Sequence, residues 1–511
     1  MDQPDIPELI RTIDGYLDAM RQAEQRMAPW IDKVQPHYRD SALNLVHYLR
    51  LRTFDLRPVQ EQLSAIGISS ISHSERYTLT NLSNVLQLLR LLQGESRDAA
   101  LQGMHLGYPR SRRRSLEHTA ALFGPPSPRG GARVMVTLPS ESAADPKLIG
   151  DLVAGGVEIL RINTGHDDTA AWEAMIGHVR EAEAAHQRKV LIYMDLAGPK
   201  IRTGAIQHRI TAKGRRKESR IHLHEGERLE VWRDLPYGEP ARFSEEGELL
   251  ALPRIGITLP QLFDQVGSGD RIWFDDGKIG GLIEEALPHY WRVRITMTGP
   301  DGARLKAEKG INLPDSDLQL PSLTEEDRRV LPFVARHADM IGYSFVQNPE
   351  DVQALRAALC QLGREAVAII LKIETRRAFQ QLPHLLLEGM RHPRLGVMIA
   401  RGDLAVELGW SRIAEVQEEI AWLCEAAHIP YIWATQILDN LARTGLATRA
   451  EITDTVAAVR AECVMLNKGP FILKAVKTIR KINDRMLGHQ DKKRHAMRPL
   501  QVALDYFGMH P

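Results

Sequence analysis

The chain has 511 residues, of which 26% are charged and 43% hydrophobic, and its formal net charge is +1 at pH 7. That length exceeds what one hydrophobic core serves and predicts about two to four domains of ordinary soluble composition. The near-zero charge excludes a global field for nucleic acid or for a membrane surface, and no apolar run is long enough to span a bilayer.

Residues 1–108 read as helices. "DIPELIRTIDGYLDAMRQAEQRM", "SALNLVHYLRLRTF" and "SERYTLTNLSNVLQLLRLL" carry apolar residues at helical spacing, with Ser74 as a cap for the third. The N-terminus has no basic stretch followed by an apolar one, so no secretory signal is expected and the cytoplasm is the expected location. The three cysteines, Cys360, Cys424 and Cys463, stand far apart with no metal-binding spacing, which predicts buried thiols in a reducing compartment. The boundary is marked by a basic run, "YPRSRRRS" (108–115), and a Pro- and Gly-rich one, "GPPSPRGG" (124–131), within a linker expected over residues 109–131. They read as a solvated linker, the alternative being a contact for an acidic partner.

Beyond residue 131 short apolar runs alternate with helical stretches. They are "ARVMVTLPS", "VEILRINTG", "KVLIYMDLAG", "ADMIGYSFV", "AVAIILKIE", "LGVMIARGD", "PYIWATQ" and "ECVMLNKG". Continuous apolar strands alternating with helices indicate a parallel sheet covered on both faces. Eight such units predict a (β/α)₈ TIM barrel over residues 132–204 and 309–487, against a doubly wound open sheet as the alternative. Residues 205–308 interrupt it with strand-like stretches and Gly-Asp and Asp-Gly turns. They read as a small antiparallel β-barrel, inserted as a lid over the C-terminal mouth of the strands. Residues 488–511 are expected to be a short tail.

Polar residues gather where these strands end. They are Arg161, Asn163 and His166 on the second; Asp195, Lys200 and Arg202 on the third; Lys372 and Glu374 on the fifth; Gly402 and Asp403 on the sixth; Thr435 and Gln436 on the seventh. In a barrel they converge on one mouth. Glu374 and Asp403 suit a hard divalent cation that keeps positions for water and substrate oxygens. Lys372 and Glu374, two apart, leave a strand on one face. With Arg161, Lys372 can gather a phosphate or an enolate, and the amides at Gly402-Asp403 can take a carboxylate. Taken singly, each of these residues reads first as an ion pair or a helix cap; five strand ends agreeing favour a shared site.

"MDLAGPKIRTG", "WFDDGKIGGLI", "EKGINLP", "ILKIET", "MIARGDLAVELG" and "WATQIL…TRAEITD", with "RINTGH" ahead of them, resemble the pyruvate kinase family over roughly residues 132–485. The resemblance implies phosphoryl transfer from phosphoenolpyruvate to ADP. Lys372 would stabilise the transferring group, and Glu374 and Asp403 would hold Mg²⁺, with Mn²⁺ a substitute. The Gly402 and Asp403 amides would take the substrate carboxylate, Thr435 would serve protonation of the enolate carbon, and Arg161 would bind phosphate. Asn163, His166, Arg202 and Asp276 would face the nucleotide, and Lys468 could contact its phosphates or be a solvated loop lysine. Many members hold K⁺ with Glu, Thr and Ser where this chain has Lys200, Leu196 and Gly165. The expectation is therefore a K⁺-independent enzyme with Lys200, neighbour to Asp195, as a built-in catalytic cation; the alternative is that Lys200 only pairs with Asp195 and takes no part in catalysis.

The chain also departs from the pattern. The usual C-terminal domain is not expected after the last barrel helix, nor is its effector control, so self-association would use other surfaces. Asn467-Lys468-Gly469-Pro470 replaces a segment near the nucleotide, and Gln347 stands where the family more often has a basic residue. The N-terminal helices can dock on the barrel, replace an interface or recruit a partner. Other Mg²⁺-enolate chemistry such as carbon–carbon cleavage, and a non-catalytic sensor or scaffold, are the competing functions.

Overall fold

The computed structural model describes residues 5–68, 70–95, 106–125, 130–210, 216–487, 489–491 and 494–495, so most of the tail expected over residues 488–511 lies outside the described residues. Each of the eight apolar runs contains one strand: Arg133–Thr137, Ile159–Asn163, Leu191–Asp195, Met340–Tyr343, Ala368–Ile373, Leu395–Ala400, Tyr431–Ala434 and Cys463–Leu466. They pair in parallel in chain order, and the last closes on the first through Arg133 and Cys463. The open-sheet alternative is thereby excluded. Ala368–Ile373 and Leu395–Ala400 are buried at every position, as a strand covered on both faces must be. Met135, Ile159, Tyr193, Met340, Ile370, Met398, Ile432 and Met465 fill the barrel interior.

The basic segment expected to be a linker is instead the start of a helix, Tyr108–Phe123. Arg110 and Arg114 pair with Asp40 at 3.0 and 3.2 Å, while Leu122 and Phe123 are buried with the barrel interior at its floor. A Cβ on Gly396 would stand 2.6 Å from Leu122 Cδ2, so the leucine is seated against bare backbone. Leu122→Ala should cost about 2–5 kcal/mol of unfolding free energy, read by denaturant titration. An unchanged midpoint would mean the floor packing is dispensable.

The N-terminal region contains helices Ile6–Ile31, Arg39–Leu51, Arg57–Ala65 and Thr78–Leu92. The segment Arg57–Ala65 escaped the sequence reading. Ser74 makes no capping bond, and its hydroxyl donates to the Ile71 carbonyl instead. The region docks on the barrel. Asn44 donates to the carbonyls of Glu75 and Ala426 at 2.6 and 2.8 Å. Arg76 pairs with Glu425 at 3.3 Å with both side chains almost fully buried, so separating the two regions would strand a charge. Cys424 and Cys463 are buried as expected, but Cys360 is exposed, at the solvent side of a helix.

The insertion departs from an all-antiparallel barrel. It forms a six-stranded sheet in which Arg254–Gly256 runs parallel to Arg228–Trp232 and the other pairs are antiparallel. It also reaches past residue 308. Ile311–Asn312 pairs with Trp273 and Phe274, and Ile201, Ile311 and Leu313 join the lid core. Among the described residues no helix is long and apolar enough to cross a membrane.

Candidate active site at the mouth of the barrel

The strand ends converge on one cleft of about 380 Å³ between barrel and lid. Arg161, Asn163, His166, Lys200, Arg202, Asp276, Lys372, Glu374, Asp403 and Thr435 all line it. Asp276 comes from the lid. It stands in the turn between strands Arg271–Phe274 and Ile279–Ala286, where Asp275 and Asp276 both take the left-handed conformation.

Asp195 is the buried hub. Its carboxylate accepts from Arg161 Nε at 2.5 Å and from Tyr193 Oη at 2.6 Å. Burial opposes its ionisation, but Arg161 and Lys372 outweigh burial and hold the carboxyl below its ordinary range. Only glycine fits beside it at position 342, because a Cβ there would collide with Asp195 Oδ1 and Tyr193 Oη.

Lys372 Nζ lies 2.7 Å from Ser344 Oγ, 3.1 Å from Glu374 Oε1 and 3.6 Å from Asp195 Oδ1. Ser344 in turn donates to the Leu196 carbonyl at 2.6 Å, which fixes the acceptor it offers to the lysine. Glu374 Oε2 accepts from the Phe345 amide at 2.7 Å. Burial, with Asp403 adding a like charge, raises the proton affinity of Glu374 although Lys372 opposes the shift. A buried carboxylate beside a second one, each with acceptor capacity left, is a donor set a divalent cation would relieve. Among the described residues no three His, Cys, Asp or Glu side chains converge on a common point. The set therefore fits an ion that takes most of its ligands from water and substrate.

Lys200 is not paired with Asp195. Gly198, at φ +67°, turns the loop after the third strand, and Lys200 Nζ reaches Asp403, 3.0 and 3.2 Å from its two oxygens. Its stem lies against Gly310, where a Cβ would stand 2.9 Å from Lys200 Cε. Burial disfavours the ammonium, but the charge of Asp403 and its hydrogen bonds keep the lysine pKa above its ordinary value. At His166, burial and then the charges of Lys468 and Arg202 lower the pKa, so the imidazole is neutral near pH 7.

Three expected residues sit differently. Gly402 opens helix Arg401–Leu408 beside Thr435, and a Cβ on it would stand 3.6 Å from Thr435 Oγ1. Lys468 is outside the main cleft, lining an adjoining cavity of about 300 Å³ with His166 and Asn467. Gln347 faces another cavity, of about 440 Å³, between lid root and barrel. Thr435 lines the cleft, and its Oγ1 is buried beside Gly402 with no hydrogen-bond partner in the protein, so its bonding capacity is unspent.

Comparison with known proteins converges on one answer. The model of the pyruvate kinase barrel domain matches residues 131–471. The chain belongs to the pyruvate kinase family. It is 30% identical over 370 residues to the pyruvate kinase of Geobacillus stearothermophilus, covering 70% of this chain and 58% of that one. It is 32% identical over 340 residues to the human pyruvate kinase PKLR, covering 64% and 55%. A crystal structure of a pyruvate kinase from Cryptosporidium parvum superimposes with a TM-score of 0.59 at 25% identity, over 72% of each chain. The match thus spans less than two-thirds of the length of these two curated pyruvate kinases.

Within this pyruvate kinase barrel, two supporting groups escaped the sequence reading. Ser344 directly follows the fourth strand, and the polar-strand-end rule applied to "YSFV" would have found it. Arg401 directly precedes Gly402-Asp403, yet it turns away from the cleft and holds the loop after the seventh strand. No local signal marks that role.

Proposed function

We propose that this chain transfers the phosphoryl group of phosphoenolpyruvate to ADP, giving pyruvate and ATP, with Mg²⁺ or Mn²⁺ and without K⁺. One observation carries the reading. The Lys372 ammonium, held by Ser344, Glu374 and Asp195, shares one cleft with the Glu374 and Asp403 carboxylates and with Arg161. In the transfer the bond from phosphorus to the enol oxygen breaks, its electron pair stays on that oxygen, and a bond forms to a terminal phosphate oxygen of ADP. Carbon 3 then takes a proton.

The residues divide the work. Lys372 and Arg161 gather the negative charge of the moving group, which is the main demand of phosphoryl transfer. Arg161 already donates to Asp195 and Thr137, which fixes its plane and leaves further N–H groups to give. The Gly402 and Asp403 amides receive the substrate carboxylate at the helix start. The Thr435 hydroxyl, unpartnered in the protein, orders the proton donor. Asn163, the neutral His166, Arg202 and Asp276 face the nucleotide, and Lys468 meets its outer phosphates. Glu374 and Asp403 would hold the divalent cation, which supplies charge neutralisation to substrate oxygens.

The Lys200 ammonium at Asp403 supports the K⁺-free reading, since it brings a fixed cation into the cleft. The test is ATP formation from phosphoenolpyruvate, ADP and Mg²⁺ in parallel K⁺ and tetramethylammonium buffers. Equal turnover is expected in both, and Lys200→Met should lose about tenfold or more in either. Turnover only with K⁺ would remove the fixed-cation role and keep the kinase. No turnover with folded protein, and pyruvate still bound, would favour carbon–carbon cleavage instead.

A further inference from the structure

The loop after the seventh strand is held in an unusual way. Thr435, Gln436 and Leu438 all take positive φ, +66°, +58° and +49°. A β-branched threonine is disfavoured there and stays only where its surroundings hold it. The main holder is Arg401. It donates from Nη2 to the Thr435 carbonyl at 2.8 Å and from Nε to the Ala434 carbonyl at 3.2 Å. Asp454 grips the same guanidinium at 2.7 and 2.9 Å, and the Trp433 ring lies 5.1 Å beneath it. The guanidinium is thus fixed on both sides, by a carboxylate and by an aromatic face.

Arg401 does not line the cleft. It touches the site through Thr435, whose buried hydroxyl has no protein partner, and through its chain neighbour Gly402, which faces that hydroxyl. We infer that Arg401, held by Asp454, is a positioning residue for the protonation of the enolate carbon. By pinning the strained Thr435 backbone it aims the hydroxyl at the reacting carbon. This rests on the proposed reaction.

The inference separates two steps that share one site. Phosphoryl transfer relies on Lys372, Glu374, Asp403 and Arg161, none of which Arg401 is seen to hold. Protonation relies on Thr435. When Thr435 is misaimed, enolpyruvate can leave and take up its proton in solution, so ATP formation persists while enzymatic proton transfer does not.

The test uses Arg401→Lys, Arg401→Met and Asp454→Asn in the full chain with Mg²⁺. Two rates are measured: ATP formation from phosphoenolpyruvate and ADP, and exchange of the pyruvate methyl protons into D₂O, followed by proton NMR with ATP present. Arg401→Met should lose methyl exchange by about 10²-fold while ATP formation falls less than about tenfold and KM for phosphoenolpyruvate holds. Arg401→Lys, which keeps one donor for the Thr435 carbonyl, should fall between parent and Met. Asp454→Asn should show the same split more weakly, and it carries the test with Arg401→Lys if the Met variant does not fold. Parallel losses of both rates, or unchanged exchange, would overturn the inference alone. A parent protein that neither forms ATP nor exchanges methyl protons would overturn the proposed reaction and this inference with it.

Discussion

Lys372→Met should lower ATP formation from phosphoenolpyruvate and ADP by about 10³-fold, the upper range for removing one group that stabilises transition-state charge. The effect should fall on kcat, because the ammonium does most when charge spreads over the moving phosphoryl oxygens. Methionine is long and flexible enough to fill the space of the lysine stem. The substitution nevertheless leaves Glu374 and Asp195 without the cation they share. The variant should therefore show a Glu374 that takes up a proton more readily, and some loss of stability. Measuring kcat, KM and the thermal midpoint together separates the two effects. A folded variant retaining more than about a tenth of parent kcat would remove Lys372 from the chemistry.

Glu374→Gln should weaken Mn²⁺ binding, read by electron paramagnetic resonance, and lower turnover by about 10²–10³-fold. The exchange is nearly isosteric, so the Phe345 amide can still donate to the remaining carbonyl oxygen. What is lost is half of a two-carboxylate set. The parent also carries a pH signature. Burial and the like charge of Asp403 raise the Glu374 pKa, so a proton competes with the cation over a higher pH range than for an ordinary glutamate. Mn²⁺ affinity of the parent should rise with pH through that range, and the Gln variant should lose much of the rise. Equal Mn²⁺ affinity in parent and variant would place the ion elsewhere.

The barrel was legible because its strands are continuous apolar runs that stop at polar residues, and burial on both faces forces that pattern. The same rule brought Arg161, Lys372, Glu374, Asp403 and Thr435 to one cleft. Partner choice was not legible. Lys200 lies five residues past Asp195, but the turn at Gly198 carries its head to Asp403, and nothing in the local sequence says so. The segment around residues 108–115 misled for a different reason. Its arginines dominate the composition, while the two residues that anchor it, Leu122 and Phe123, come at the far end of the helix. A strand such as Ile311–Asn312 has only two residues, too few for periodicity to register, so the lid's edge was placed early. Arg401 reads as one more charge at a strand end. Only the fold shows that it lies outside the cleft lining and donates to the Thr435 carbonyl.

The central claim is that this cleft moves a phosphoryl group between two small molecules. It is tested most directly by mixing the protein with phosphoenolpyruvate carrying a labelled phosphate, ADP and Mg²⁺, and following the label. The account predicts that the label appears in ATP with one pyruvate formed per ATP, and that Lys372→Met stops it. Label that stays in phosphoenolpyruvate, or that is released as inorganic phosphate without entering ATP, would contradict it.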